Sequence, residues 1–137
     1  MKDIMVKWSD KYNIGVPEID RQHKRLFKMV NELYDGLHKA GPYREDAFRH
    51  TIKELVNYVH EHFNSEYNLM KEINYPHFDE QVSLHNSFIQ KVLEYVRRCE
   101  AGESGIPYEF VNYLRDWVFS HISIEDKKIG FFLAKKS

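Results

Sequence analysis

The chain has 137 residues, the size of one domain, and its formal net charge of −1 lacks the basic excess of a nucleic-acid-binding protein. Its single cysteine, Cys99, excludes an internal disulfide framework and a metal cage built from cysteine ligands. No apolar run is long enough for a membrane span or a signal peptide, so we expect a cytoplasmic domain with neither a nucleic-acid nor a membrane partner.

Proline and glycine divide the chain into segments with helical periodicity. We expect an N-terminal arm over residues 1–16, then helices at about residues 17–39, 43–73, 76–100 and 107–132. Each of these four segments carries apolar residues at every third or fourth position, and no stretch alternates with the period of a strand. The pattern predicts an all-α fold, an antiparallel up-down-up-down four-helix bundle formed by one domain over residues 1–137, with the extended arm packed against it.

Each predicted helix turns one histidine toward its apolar face. At about 100° per residue, His23, His62, His85 and His121 all fall within or beside the apolar stripes, as does Glu66, one turn after His62. A single core histidine is usually a hydrogen-bonded residue. Five such groups buried without partners would cost about 1–3 kcal/mol each, and a charged group would cost more. A metal centre would provide a partner for all of them.

The identity of the metal is less constrained by the residues alone. Imidazole and carboxylate ligands suit iron, zinc or copper, and the ligands outnumber those that one tetrahedral ion needs, which suggests two metals bridged by carboxylates. The Glu-x-x-His pair of ferritin-like di-iron bundles is absent, as is a His-Glu-x-x-His zinc motif. His38, His50 and His60 do not fit the inward pattern, and we expect them at the surface.

Four segments of the chain resemble the bacterial hemerythrins in both order and spacing. They are GVPEIDRQHKRLF, HFNSEYNLM, NYPHFDEQVSLHNSF and DWVFSHISIEDKKIG. The resemblance covers essentially the whole chain and implies a hemerythrin-like domain with a non-haem di-iron centre. Its cofactors would be two iron ions (Fe2+ or Fe3+) with a bridging oxo or hydroxo group.

The resemblance also implies which residues hold the iron ions. His23 and His62 would serve one iron, His85 and His121 would serve the other, and Glu66 and Asp126 would bridge the pair.

One bridging ligand, Asp126, conflicts with simple helical periodicity. Periodicity alone favours Glu125, which lies four residues after His121, whereas Asp126 lies five residues after it. We follow the resemblance and expect a locally loosened turn that brings Asp126 inward. Ile122 occupies a position similar to the wall of the family's dioxygen pocket.

The sequence departs from the family pattern at two positions. Gln81 stands where the third helix of the family has the first histidine of a His-x-x-x-His pair, and an amide oxygen is a weaker donor than imidazole. His77, one turn earlier, is an alternative ligand or a residue that contacts the ligands. Tyr67 replaces an acid that follows the bridging glutamate in many relatives, and we expect it beside the site or against a neighbouring helix.

The resemblance implies dioxygen binding, for carriage, storage or sensing. The alternative is a di-iron oxidoreductase that reduces peroxide or nitric oxide, because loss of an imidazole at Gln81 would open a second exchangeable position on one iron. The expected partner is therefore dioxygen, another small diatomic molecule or peroxide, together with a redox protein that the sequence does not identify. Whether the chain is an enzyme is left open by these two readings.

Overall fold

The computed structural model describes residues 7–37, 44–103 and 105–136, which form a helical bundle without a strand among them. Its helices are α1 (Pro17–Leu37), α2 (Arg44–Glu72), α3 (Phe78–Glu100) and α4 (Ile106–Ser120), followed by a π-helical segment (His121–Asp126) and α5 (Lys127–Lys136). Each of the helices α1 to α3 packs against the next one, and α4 packs against α1, so the bundle closes. The predicted four-helix bundle is confirmed.

Some of the predicted features fall outside the described residues. They are the first six residues of the arm, the helix ends predicted at residues 38–39 and 43, and His38. The fourth predicted helix is divided by the π-helical segment, and its last part, α5, continues to Lys136. None of the helices in the described ranges is both long and apolar enough to cross a membrane.

Backbone geometry at the helix starts follows from a few residues. Gly15 adopts φ +90°, a left-handed conformation that glycine tolerates, and Pro17 then begins α1 with a φ already suited to a helix. Gly105, at φ +78°, precedes α4 in the same way, with Pro107 in the first turn. The two glycine–proline pairs thus set the residues at which α1 and α4 begin.

Two apolar clusters fill the interior, and a polar layer lies between them. The larger cluster includes Leu26 of α1, Val59 of α2 and Leu114 of α4. Leu114 is fully buried, so its truncation to alanine would cost about 2–5 kcal/mol. The smaller cluster consists of Ile14, Ile19, Met70, Tyr75 and Ile129, from the arm, α1, α2, the loop after α2 and α5.

The π-helical segment from His121 to Asp126 changes which residues share a face. In a π-helix the hydrogen bonds join residues five apart, so the side chains of His121 and Asp126 turn to the same side. The expected loosening of the helix at this point is confirmed. Both residues face the bundle interior and are buried.

The arm packs against α1 and α4 through aromatic side chains. Trp8 and Tyr12 make edge contacts with each other and with Phe27 of α1, and Tyr12 also meets Phe119 of α4. A short 3-10 turn (Asp10–Tyr12), capped by the Ser9 side chain, places Tyr12 against the bundle. The arm therefore covers the bundle beside the polar layer.

Candidate metal centre

The polar layer contains every buried polar side chain in the described part of the chain. Each of its members is at most 3% exposed, and they come from α1, α2, α3 and the π-helical segment. Its members are His23, His62, Glu66, Gln81, His85, His121 and Asp126. The layer thus includes all six residues that the sequence analysis associated with two iron ions, together with Gln81.

The two carboxylates lie at the centre of the layer. Asp126 Oδ2 is 2.8 Å from His23 Nε2 and 2.9 Å from His121 Nε2. Glu66 Oε1 is 2.8 Å from His62 Nε2, 3.0 Å from His121 Nε2 and 3.7 Å from His85 Nε2. Each carboxylate therefore reaches imidazoles from different helices.

These contacts form two donor sets with one shared residue. In the first set, ligand atoms of His23, His62, Glu66 and Asp126 all lie within 4.8 Å of one another. In the second set, ligand atoms of Glu66, His85 and His121 lie within the same distance. Sharing of Glu66 is the arrangement that a carboxylate bridging two metal ions requires.

Unpaired polar atoms in the layer fit a metal site. Ten buried side-chain nitrogen and oxygen atoms in the described residues make no hydrogen bond of suitable geometry, even where a contact is short, and all but Asn13 Oδ1 belong to this layer. The unpaired atoms include Nε2 of three histidines, one oxygen of Glu66 and both oxygens of Asp126. Buried polar atoms are almost always paired in native proteins, and nitrogen and oxygen donors of this kind suit iron.

His62 is oriented by a hydrogen-bond network that the sequence analysis did not identify. Gln22 Oε1 accepts a hydrogen bond from His62 Nδ1 at 2.8 Å, while Gln22 Nε2 donates to Ser65 Oγ at 3.0 Å and Glu18 Oε1 at 3.3 Å. These acceptors fix the orientation of the Gln22 amide. The Gln22 amide therefore holds a proton on Nδ1 of His62, which leaves Nε2 as the nitrogen that could bind a cation. The only sequence signal for this role was the position of Gln22 beside His23.

His85 is oriented by Tyr67 and by an aromatic ring. The Tyr67 hydroxyl lies 3.2 Å from His85 Nδ1, and the Phe63 ring stacks on the imidazole at 3.7 Å and an angle of 2°. Burial, and then the charge of Glu66, raise the pKa of Tyr67, so the phenol stays neutral. Tyr67 also packs against Phe78 of α3, as expected for a residue beside the site.

Burial and charge act in opposite directions on the ionisable groups. Burial alone would raise the pKa of Glu66, but His62 and His121 hold it well below its ordinary value. Burial, and then the charge of Glu66, raise the pKa of Asp126. Burial lowers the pKa of His85 to about 3, whereas the two carboxylates overcome burial and raise the pKa of His121 to about 10. With a pKa of about 10, His121 is therefore protonated at neutral pH in the absence of metal.

Gln81 lies within the layer, and His77 does not. Gln81 Nε2 donates a hydrogen bond to the Glu125 carbonyl at 3.3 Å, while its buried Oε1 has no hydrogen-bond partner. His77 is exposed at the start of α3, and its Nδ1 lies 3.3 Å from Glu80 Oε1. The carboxylate of Glu125 points outward to Lys128, with 3.5 Å between Oε2 and Nζ. The structure thus does not bring His77 or the Glu125 carboxylate to the donor sets.

The remaining predicted positions are also located by the structure. Ile122 is fully buried next to His121 and belongs to the larger apolar cluster. His50 and His60 are exposed, as expected. Trp117 stacks on His121 with ring centroids 4.4 Å apart and an interplanar angle of 14°. Apolar and aromatic groups therefore bound the polar layer on the side of the larger cluster.

Comparison with known families agrees with this geometry. The profile of the hemerythrin HHE cation binding domain matches residues 14–130, a range that includes the whole polar layer. The chain belongs to the hemerythrin family. Hemerythrins are non-haem iron proteins, and their usual role is to bind oxygen. Membership of the family implies a di-iron centre.

Relatives of this hemerythrin domain include bacteriohemerythrins and a myohemerythrin. The chain is 36% identical to a bacteriohemerythrin of Stenotrophomonas maltophilia over 123 residues, covering 90% of this chain and 78% of that protein. It is 37% identical to a bacteriohemerythrin of Pseudomonas aeruginosa over 119 residues, covering 87% and 75%. Identity to the myohemerythrin of Theromyzon tessulatum is 23% over 122 residues, covering 89% and 88%.

A solved structure also resembles this hemerythrin domain. The crystal structure of a wild-type hemerythrin superposes with a TM-score of 0.82 at 27% identity, covering 94% of this chain and 98% of that one. The resemblance inferred from the four sequence segments is confirmed.

Proposed function

We propose that this chain is a non-haem di-iron protein that binds dioxygen reversibly for carriage, storage or sensing. The observation that carries the proposal is the pair of buried donor sets that share Glu66. His23 and His62 would hold one iron, and His85 and His121 the other, with Glu66 and Asp126 as bridges. Two ferrous ions with a bridging oxo or hydroxo group would supply the two electrons, one from each iron, that reversible binding of dioxygen requires.

The surrounding residues support this role because they orient the ligands before any ion arrives. Gln22 holds the proton of His62 on Nδ1, so that Nε2 is free to bind a cation. If His85 binds iron through Nε2, its Nδ1 carries a proton and donates to the Tyr67 hydroxyl. Tyr67 is then the hydrogen-bond acceptor and orients His85 by this bond.

Apolar groups beside the layer support reversible binding rather than irreversible oxidation. Ile122 and Val118 are almost fully buried beside His121, and Phe63 and Trp117 cover two of the imidazoles. These side chains exclude water and bring no acid or base of their own toward a bound diatomic molecule. Ile122 is therefore assigned to the wall of the dioxygen pocket.

A second function is favoured by one specific observation at Gln81. Its buried Oε1 has no hydrogen-bond partner, and an amide oxygen is a weaker donor than the imidazole it replaces. The iron held by His85 and His121 would then carry a weak ligand or an exchangeable water. Two exchangeable positions suit the reduction of peroxide or nitric oxide, with electrons from a redox partner.

Exposure of the reduced protein to air distinguishes the two functions. Protein loaded with iron and reduced under anaerobic conditions is mixed with air, and its visible absorption is followed before and after the gas is removed. Binding for carriage predicts a charge-transfer band that disappears under vacuum and returns on a second exposure. A single irreversible conversion to the diferric protein would contradict reversible binding and favour the oxidoreductase.

A further inference from the structure

The N-terminal arm is fastened to α5 by Lys127, the residue that follows Asp126. Lys127 Nζ donates hydrogen bonds to two backbone carbonyls of the arm, that of Lys11 at 2.8 Å and that of Asn13 at 2.6 Å. An ammonium group donating to neutral carbonyls forms charge-assisted bonds, which are stronger than neutral ones. The start of α5 is therefore attached to the arm at two points.

Gly130 allows the arm to lie directly against α5. A Cβ atom at this position would be 2.9 Å from the Ile14 carbonyl oxygen and 3.0 Å from Ile14 Cα. Such distances are shorter than normal contacts, so any larger residue must displace the arm. The side chain of Ile14 packs with Ile129 in the smaller apolar cluster. Backbone and side chain of the arm thus both contact α5.

The same stretch of the arm is also fastened to α1. The backbone N–H of Ile14 donates to Asp20 Oδ1 at 2.7 Å, and Asp20 lies in the first turn of α1. His23 follows three residues later on the same helix. The arm therefore connects the helical turn that carries His23 to the helical turn that ends at Asp126.

His23 and Asp126 are themselves in contact, with 2.8 Å between His23 Nε2 and Asp126 Oδ2. The two residues lie on different helices, and Asp126 ends a π-helical segment, whose hydrogen bonds are rarer and less favourable than those of an α-helix. Attachment of the arm to Lys127, next to this π-helical segment, limits how far Asp126 can move.

We propose that Lys127 is a positioning residue for the metal centre, because it holds the π-helical segment against the arm and so keeps Asp126 in reach of His23 and the bridging position. The inference rests on the proposed di-iron function. Lys127 touches neither donor set and acts through the backbone that it shares with Asp126. The Lys127 Nζ atom also lies 5.9 Å from the centroid of the Phe131 ring, within the range of a cation–π contact.

The test compares Lys127→Met with Lys128→Met, its neighbour on the same helix. Lys128 contacts only the exposed edge of Glu125 in the described structure, so its loss removes equal charge without releasing the arm. Each protein is loaded with ferrous iron, and the rate of iron loss to an excess of a chelator is measured under anaerobic conditions. We expect Lys127→Met to lose iron on the order of tenfold faster than the native protein, and Lys128→Met to match the native rate.

Further variants separate positioning from general stability. Ile52→Val lowers stability in α2 at a buried site ten residues before His62, about 15 Å along the helix, and is expected to leave the rate of iron loss unchanged. Lys127→Arg keeps two donors and is expected to restore most of the native rate. Gly130→Ala displaces the arm without changing Lys127 and is expected to accelerate iron loss. This variant provides the test if Lys127→Met does not fold.

A spectrum provides a readout that does not depend on oxygen reactivity. The visible absorption of the cobalt-substituted protein reports metal geometry, and we expect it to change in Lys127→Met and to return in Lys127→Arg. Native iron loss and an unchanged cobalt spectrum in Lys127→Met would overturn the inference, as would equal acceleration in Ile52→Val. If the native chain instead binds no iron pair, the proposed function fails, whatever the variants do.

Discussion

His121 and Asp126 are five residues apart in sequence, yet Nε2 of the first lies 2.9 Å from Oδ2 of the second. On a regular α-helix, residues five apart point about 140° away from each other. The π-helical segment from His121 to Asp126 removes this separation and turns both side chains into the bundle. The extra residue in this helical turn thus brings the Asp126 carboxylate to the inward position that ordinary helical periodicity assigns to Glu125.

We expect about two irons per chain, because one tetrahedral ion needs about four ligands and the two donor sets contain six residues and share Glu66. Metal analysis of protein produced in iron-rich medium, together with protein quantification by amino-acid analysis, measures the ratio. A reproducible ratio at or below one would show that the Gln81 side of the layer does not retain its ion.

Glu66→Ala is expected to lose most of the bound metal, whereas His60→Ala is expected to retain it. Glu66 is fully buried and belongs to both donor sets, while His60 is exposed on the same helix, six residues earlier. Metal content after gel filtration and circular dichroism of the metal-free forms measure binding and folding separately. Equal metal loss in the two variants would contradict the assignment of Glu66 as a bridge.

The fold and the inward histidines were predictable because helical periodicity is a strong signal over long amphipathic segments. His23, His62, His85 and His121 were placed on apolar faces by that periodicity, and all four are buried in the structure. Asp126 required the family resemblance, because a π-helical turn has no simple periodic signature. Periodicity also does not predict contacts between helices, because it gives the direction in which a side chain points but not the residue that the side chain meets.

Gln22 and Lys127 illustrate that limit. The side chain of Gln22 reaches His62 across the α1–α2 interface, 40 residues further along the chain, and Lys127 reaches carbonyls of the arm more than 110 residues away. Both residues look like ordinary surface polar positions in the sequence. Their roles depend on the three-dimensional approach of segments that no local pattern connects.

Gln22→Leu is expected to weaken metal binding on the order of 10-fold to 100-fold, because it removes the acceptor that holds the proton of His62 on Nδ1. Gln22→Glu retains an acceptor, so its metal affinity is expected to be closer to that of the native protein than to that of Gln22→Leu. Competition with a chelator of known affinity measures the difference. Equal affinities for Gln22→Leu and the native protein would show that His62 orients itself without this bond.

The metal-free protein is expected to lose stability as the pH rises from about 6.5 to about 10. The pKa of His121 is raised to about 10 in the folded metal-free state, against an ordinary value near 6.5, chiefly because Asp126 and Glu66 overcome the effect of burial. Because the pKa of His121 is higher in the folded state than in the unfolded state, its protonation stabilises the fold fully below about pH 6.5. This stabilisation is lost as the pH approaches about 10. Urea unfolding at several pH values measures this dependence.

Metal-loaded protein provides the control for this pH dependence. A bound imidazole has no proton on its ligand nitrogen, so the loaded form is expected to lack the alkaline loss that His121 produces. Stability that is constant between about pH 6.5 and about pH 10 in the metal-free protein would indicate that His121 is neutral there.

Replacement of Gln81 by histidine tests whether this position controls the reaction with oxygen. Gln81→His restores the His-x-x-x-His pattern of the family and would supply a stronger donor to an iron held by His85 and His121. We expect a longer-lived dioxygen adduct and slower turnover of peroxide than in the native protein, because the second exchangeable position is filled. Stopped-flow absorption with air-saturated buffer and with hydrogen peroxide measures both quantities.

The structure also defines a control for the loss of the native amide. Gln81 Nε2 donates to the Glu125 carbonyl, so any replacement that lacks this donor is expected to cost about 1 kcal/mol of stability. Gln81→Leu loses the same hydrogen bond but cannot bind metal, so it separates the effect on the helix from the effect on coordination. We expect Gln81→Leu to turn over peroxide at least as fast as the native protein and Gln81→His to be slower than both. Equal peroxide rates and adduct lifetimes in all three proteins would show that Gln81 does not control access to the iron.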